Sequence, residues 1–445
     1  MGLLNHEVGM WLNNFKPLKL STFKRSPMTE RLLQYIWQFQ HFNAKELRST
    51  EGELLQVIHP GMYNTNQGPD FTDAKIRLSG MVWAGSIELH INTSDWKNHR
   101  HSSDSNYKNV ILHVVWEDDV DLSLPFPTLI LQDKVSKILL SRYEELMNTG
   151  SFIPCEKNIH LVNNITWSAW KERLLVERLQ SKTRYIFDLL EKNNNHWEET
   201  LWWQLAKNFG IKINSVAFEA IARSISIAVL AKHKNQIHQV EALLFGQAGL
   251  LDAAFEEDYP KRLQREYQFL SKKYALQRIK TKLAFLRMRP SNFPTVRLAQ
   301  LAMLVHENSQ LFSKIKEAVK PGPVKELLSV TANDYWHYHY MFDEKSAFKK
   351  KTLGEQMISN ILINTVIPIL FAYGLHQNEN SYKDKALKWL EEIAAEKNAI
   401  TRGFSSLHLS YKTAFDSQAF IQLKNEYCNK KRCLDCAIGN KLLRN

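Results

Sequence analysis

The hydrophobic period of this chain changes once, and that change limits what it can fold into. Up to Trp116 apolar and polar residues alternate, as in "AKIRLSG" (Ala74, Ile76 and Leu78 against Lys75, Arg77 and Ser79) and "SIELHI" (Ile87, Leu89 and Ile91 against Glu88 and His90). Strand side chains point alternately to opposite faces, so both segments read as half-buried strands. "VILHVVW" is apolar on both faces and reads as a central strand. An amphipathic helix in "MTERLLQYIWQFQHFN" opens this region, "ELLQVIHPGMYN" is a short strand stopped by Pro60 and Gly61, and Gly80–Gly85 is read as a turn. "SDWKNHRHSSDSNYKN", with Ser94 or Asp95 as N-cap, is a polar helix or structured loop.

Beyond Asn158 the period becomes helical, in "WSAWKERLLVERLQSKTRYIFDLLEK", "WEETLWWQLAKNF" and "SVAFEAIARSISIAVLAKH". No fixed-length repeat is visible, which favours an irregular helical domain over a solenoid. At 445 residues the chain exceeds one ordinary core. The expected fold class is α+β. Residues 1–27 are expected as a flexible extension, 28–150 as a mixed sheet with flanking helices, 151–424 as an all-α domain and 425–445 as a Cys-rich terminal segment.

Lys plus Arg exceed Asp plus Glu by 58 to 46, a net charge of +12. That balance favours a polyanionic partner such as nucleic acid, bound through counterion release. No apolar run reaches the roughly 20 residues that span a bilayer. "ILINTVIPILFAYG", interrupted by Asn364 and Pro368, reads as a buried, kinked helix. The first 27 residues lack a secretory pattern, and a cytoplasmic location is the expectation.

Three of the four cysteines form Cys428-x4-Cys433-x2-Cys436, a spacing suited to thiolate ligation of one metal centre; Cys155 is the remaining candidate ligand. Zinc and an iron–sulfur cluster both accept four thiolates, and the spacing leaves both open. Lys430, Lys431 and Arg432 are expected to help keep these thiols deprotonated. The expected role is structural.

Chemistry concentrates between Gly68 and Val115, which hold four histidines. A carboxylate at the start of one strand, followed on the next by Glu-x-basic, is what a metal-dependent phosphodiesterase uses to hold an ion and activate water. "PD" at Pro69–Asp70 and "ELH" at Glu88–His90, in helix–strand–strand–strand–helix–strand order, resemble the PD-(D/E)XK nuclease superfamily over residues 28–116. The resemblance implies Asp70 and Glu88 as ligands of Mg²⁺ or Mn²⁺. His90 stands where that family usually has lysine; it could transfer protons or become a ligand itself. Asp104 and Tyr107 are similar to a polar residue and a tyrosine on the following helix in recombination-type members. His101, Asp104 and Tyr107, spaced i, i+3, i+6, would share a helix face.

Other readings stay open at these residues. A decayed nuclease fold would bind nucleic acid without cutting it. A zinc-dependent hydrolase would use His90, His99, His101 and Asp104, although on a helix His99 and His101 point about 200° apart and could not share an ion. If Gly80–Gly85 is the turn, Glu88 lies opposite about residue 75, and a bend at Gly68–Pro69 is required to bring Asp70 near it; without a bend Asp73 is the rival ligand. His113 reads as a satisfied core histidine and Trp96 as a core anchor.

Longer stretches, including "NQGPDFTDAKI", "IELHINTSDWKNHRHSSDSNYKNVILHVVW", "RMRPSNFPTVRLAQLA" and "CLDCAIG", resemble a bacterial family catalogued as a domain of unknown function, family 2851, over nearly the whole chain from Met28. In "RMRPSNFPTVR", Arg287, Arg289 and Arg297 with Asn292 and Phe293 could bind phosphate and stack a base; the other reading is a loop feeding a helix at Pro294. "LLFGQAGLL" reads as helix-end packing through Gly246 and Gly249.

Overall fold

A computed structural model describes residues 28–286 and 288–444; the expected extension over 1–27 and Arg287 lie outside the described residues. Two compact units divide at Thr149: the first precedes it, with the chain from Leu443 onward, and the second spans Gly150–Leu442.

In the first unit, helix α1 (Glu30–Gln38) is capped by Thr29, whose hydroxyl accepts the Leu32 N–H at 3.2 Å. Its Leu32, Leu33, Ile36 and Trp37 are buried. Then follow β1 (Leu47–Arg48), β2 (Leu54–His59), β3 (Met62–Tyr63), β4 (Phe71–Leu78), β5 (Met81–Asn92), α2 (Asp95–Asn98), β6 (Val110–Glu117), β7 (Thr128–Ile130) and α3 (Lys137–Asn148). The sheet order is β1-β2-β4-β5-β6-β7, with β3 paired beside β2 on β4. Strands up to β5 pair antiparallel, whereas β6 runs parallel to β5 and β7 parallel to β6. Along β4, Ala74, Ile76 and Leu78 are buried, as the alternation requires, and Phe71 is buried across an irregularity in the strand; β6 is buried on both faces from Val110 to Val115.

The hairpin turn differs from the expectation. Leu78 pairs with Met81, so the loop is Ser79–Gly80, both at positive φ (46° and 93°), and Val82–Ala84 belong to β5. A second irregularity lies further along β4. Asp73 takes a left-handed conformation (φ 56°), and the register shifts between Ala74↔Gly85 and Phe71↔Ile87. The shorter loop and the shifted register together bring Asp70 next to Glu88. The expected bend is also present, with Gly68 at φ 106° just before Asp70.

The second unit is built from helices, the longest being α4 (Asn164–Lys192), with one small hairpin of His339–Met341 and Glu344–Lys345. Among the described residues, the helix Glu355–His376 is long and apolar enough to cross a membrane, as is the pair Ile211–Ser224 and Ile227–His233 taken together across its 74° bend; most of the apolar window of Glu355–His376 is buried inside the unit. Pro368 has no N–H to bond back to Asn364, and the chain widens into a π turn over Leu362–Val366. The Cys-rich segment packs in this unit: Cys436, Ile438 and Leu442 share a core with Ile153, Trp170 and Phe420.

Candidate functional site

Strand alternation turns Glu88 and His90 to one face of β5, and both are buried, at 6% and 1% exposure. Across β4 the two carboxylates interlock with the backbone. The Asp70 N–H donates to Glu88 Oε2 at 3.0 Å, and the Leu89 N–H donates to Asp70 Oδ2 at 3.2 Å. Asp70 Oδ1 accepts from Gln34 Nε2 of α1 (2.8 Å), and Gln34 Oε1 accepts from the Tyr63 hydroxyl (3.2 Å). Burial raises the pKa of both carboxyls; the charge of Asp70 raises Glu88 further, and the charge of Glu30 adds to the rise of Asp70. Asp73 is exposed and stands apart from this pair.

The other oxygen of Glu88 faces histidines. Glu88 Oε1 lies 3.5 Å from His90 Nε2 and 3.4 Å from His101 Nε2. His90 Nε2 is also 3.1 Å from His99 Nδ1 and 3.3 Å from His101 Nε2. The helix argument that separated His99 from His101 fails because α2 ends at Asn98. Arg100 adopts a left-handed conformation (φ 60°), and two short 3-10 turns, His101–Ser103 and Ser105–Tyr107, follow. The three histidine ligand atoms lie within 4.8 Å of one another.

His90 Nδ1 is 2.8 Å from His113 Nε2. If His90 donates there, its Nε2 presents a lone pair to two more imidazoles and a carboxylate. Burial, then the neighbouring histidines, push His90 down to about 2; burial, then His101, push His113 to about 4. Both are therefore neutral imidazoles near neutral pH, the form that ligates metals. His101 is lowered by burial and then by His99.

Trp96 walls the cluster, with its ring 5.3–6.3 Å from those of His101, His113 and His90, and its Nε1–H donates to Ser102 Oγ at 2.9 Å. Tyr107 stacks on His101 with 3.9 Å between centroids. Burial and the charges of Glu88 and Asp70 push its phenol up to about 12, so it keeps its proton. Asp104 does not share a helix face with His101 and Tyr107: it caps the second 3-10 turn, its carboxylate accepting the Asn106 N–H at 2.9 Å. Reading from sequence missed Gln34, which nothing local marks as the partner of Asp70.

Glu88 Oε1, His90 Nε2, His99 Nδ1 and His101 Nε2 are thus separated by 3.1–3.5 Å in four of their six pairs, and the set whose ligand atoms all lie within 4.8 Å of one another is His90, His99 and His101, without Glu88. Tetrahedral Zn²⁺ with bonds of 2.0–2.1 Å requires donor separations of about 3.3 Å. The nitrogen-rich set suits Zn²⁺ or Mn²⁺ better than Mg²⁺, which favours oxygen ligands in octahedral array.

The thiols of Cys155, Cys428, Cys433 and Cys436 lie close enough for their charges to act on one another. Lys430 pairs with Glu426 (2.6 Å) and Arg432 with Asp435 (3.1 Å). Burial outweighs the basic neighbours: it pushes Cys433 up to about 12, Cys436 up to about 11 and the other two well up. The expected deprotonation by neighbouring lysines is therefore corrected; without a metal these are neutral thiols. The backbone N–H groups of Gly439 and Ile438 point to Cys436, and the Trp170 Nε1–H beside it has no other partner.

Of the arginines, Arg297 is buried at 8% exposure. Its Nη1 donates to Gln300 Oε1 (3.0 Å) and its Nη2 to Asn292 Oδ1 (2.6 Å). Arg289 is exposed in the turn before Pro290.

The first unit is thus a mixed-sheet α/β unit with a buried carboxylate–histidine cluster, and a helical unit follows it. A family model described as "Protein of unknown function (DUF2851)" matches residues 30–399, and the chain belongs to that family. No curated protein and no solved structure matches it.

Proposed function

We propose that the chain is a metal-dependent nuclease that hydrolyses phosphodiesters in nucleic acid. The observation that carries this reading is the convergence of His90, His99 and His101 at metal-ligand spacing, with Glu88 Oε1 3.4–3.5 Å from His90 and His101 and a second carboxylate, Asp70, beside it. The net charge of +12 supports a polyanionic substrate. The helix, strand order and positions of Asp70 and Glu88-x-His90 support the PD-(D/E)XK resemblance, with histidine in the lysine position. Mg²⁺ fits the donors poorly; Mn²⁺ or Zn²⁺ fits them.

When bound, such an ion polarises a phosphoryl oxygen and lowers the pKa of a water. Glu88, His90 and His101 are the buried ligands. His99 is solvent-exposed and is the donor that can yield to water or substrate. His113 orients the His90 ring through Nδ1, as supporting partners of ligating histidines do. Asp70 holds Glu88 through its backbone N–H while Gln34 and Leu89 hold Asp70. Trp96 keeps water from one side, and Tyr107 carries a proton near the site. The four cysteines are proposed to bind zinc or an iron–sulfur cluster in a structural role.

The test is cleavage of single- and double-stranded DNA and RNA by stripped protein reloaded with Mn²⁺, Zn²⁺ or Mg²⁺. Cleavage with Mn²⁺ or Zn²⁺ that disappears in Glu88→Ala and His101→Ala is expected. Salt-sensitive binding without cleavage under any ion would refute the enzyme and favour the non-catalytic binding protein. His90→Lys is expected to lose metal. If it instead gains Mg²⁺-dependent cleavage, Asp70 and Glu88 alone hold the ion.

A further inference from the structure

The second unit contains a cavity of about 990 Å³, and among the described residues six lysines and Arg297 line it while no carboxylate does. Seven cations around one space repel each other, so the lining is costly unless something negative enters. Two of them are more than nine-tenths buried and incompletely bonded. Lys351 is 4% exposed and its ammonium has no hydrogen-bond partner; it rests over the Tyr340 ring, 3.7 Å from the centroid, which satisfies none of its N–H groups. Arg297 is 8% exposed with its Nε unpartnered, and its other nitrogens meet only neutral oxygens. A buried, unpaired cation costs several kcal/mol unless a counter-charge compensates it.

Neutral groups continue the pattern. Lys182 Nζ donates to Asn364 Oδ1 (2.7 Å), and Asn208 Nδ2 donates to Thr365 Oγ1 (3.1 Å). Asn364 and Thr365 sit on the π turn, a distortion that recurs at functional sites. Lys349 and Lys350 are exposed at the mouth.

We infer that this cavity binds a ligand carrying two or more linked phosphates, of nucleotide size. Phosphate oxygens would complete Lys351 and Arg297 through charge-assisted hydrogen bonds, and the exposed lysines would draw the anion in. Free nucleotides and nucleic-acid strands share this chemistry. The inference stands apart from the metal site, since its residues all lie between Ser181 and Pro368.

The experiment is calorimetric titration of the full chain with inorganic tripolyphosphate at low and moderate salt. Binding that weakens with salt is expected, with a loss of about 10–100-fold in Lys351→Met, the range for hydrogen bonds to a charged group. A Lys349→Ser/Lys350→Ser variant, altered only at exposed positions, should fold normally and also bind more weakly. ATP and a short single-stranded oligonucleotide then compete against tripolyphosphate. Displacement by ATP alone assigns a free nucleotide and displacement by the oligonucleotide assigns strand phosphates; either supports the site. No tripolyphosphate binding up to millimolar concentration at low salt overturns it, as does equal binding by wild type and both variants.

Discussion

Arg100 is the backbone device that decides whether His99 and His101 can act together. It is exposed and left-handed (φ 60°), and its N–H donates to the Lys97 carbonyl at 3.0 Å. A left-handed L-residue costs roughly 1–2 kcal/mol, which glycine does not incur. Glycine's greater freedom in the unfolded chain takes back about 0.4–1 kcal/mol. Arg100→Gly should therefore raise stability by about 0–1.6 kcal/mol, a melting shift of a few degrees at most, and leave the four donors in place. Arg100→Pro is the opposite perturbation. Proline fixes φ near −65° and removes the N–H, so the chain cannot turn there and His99 is carried away from His90 and His101.

Losing a supporting partner of a metal ligand already weakens binding about 10–100-fold, and losing a ligand's placement should cost at least that. The assay is competitive titration of Zn²⁺ or Mn²⁺ against a chromophoric chelator, with thermal melting by circular dichroism in excess chelator to separate folding from binding. The expected result is wild-type affinity for Arg100→Gly and at least tenfold weaker binding for a folded Arg100→Pro. A folded proline variant that binds as tightly as wild type would refute the role given to this backbone turn, and so would loss of metal in the glycine variant.

Asp70 and Glu88 give a pH prediction for the metal-free protein. Their folded pKa values are raised above the ordinary 3.8 and 4.5, by burial first and then by a neighbouring carboxylate (Glu30 for Asp70, Asp70 for Glu88), so the stability they contribute is full below those ordinary values and is lost as pH rises through the raised ones. Glu88→Gln should match wild type at pH 4 and exceed it in urea unfolding at pH 8; a variant less stable at pH 8 contradicts the assignment. The cysteine quartet predicts shared loss: Cys155→Ser should release as much zinc or iron as Cys433→Ser, measured by elemental analysis of purified protein. Metal retained in Cys155→Ser alone removes that residue from the centre.

What was legible in the sequence were features in which each residue reports its own environment. Alternation in "AKIRLSG" follows from the strand itself, and the buried face of β4 appears where that pattern puts it. "SIELHI" alternates too, but β5 is buried on both faces from Gly85 to His90 and Ile91 is half-buried, so the half-buried reading of that strand is corrected. The candidate residues were equally visible: Asp70, Glu88, His90, His101 and Tyr107 do gather at one place. What escaped were positions where the backbone leaves its period. Gly85 looked like the end of a turn, yet it lies inside β5, where a Cβ would meet the Asn109 carbonyl oxygen and the Ile111 side chain, each at 2.5 Å. Asp73 and Arg100 turn left-handed with no mark in composition. The first helps bring Asp70 level with Glu88; the second folds His101 back beside His99. A metal site built on regular elements would announce itself by spacing, as two histidines one helical turn apart do. Here the convergence depends on two irregular residues that supply no ligand themselves, so ligand spacing alone argued against the arrangement the chain adopts.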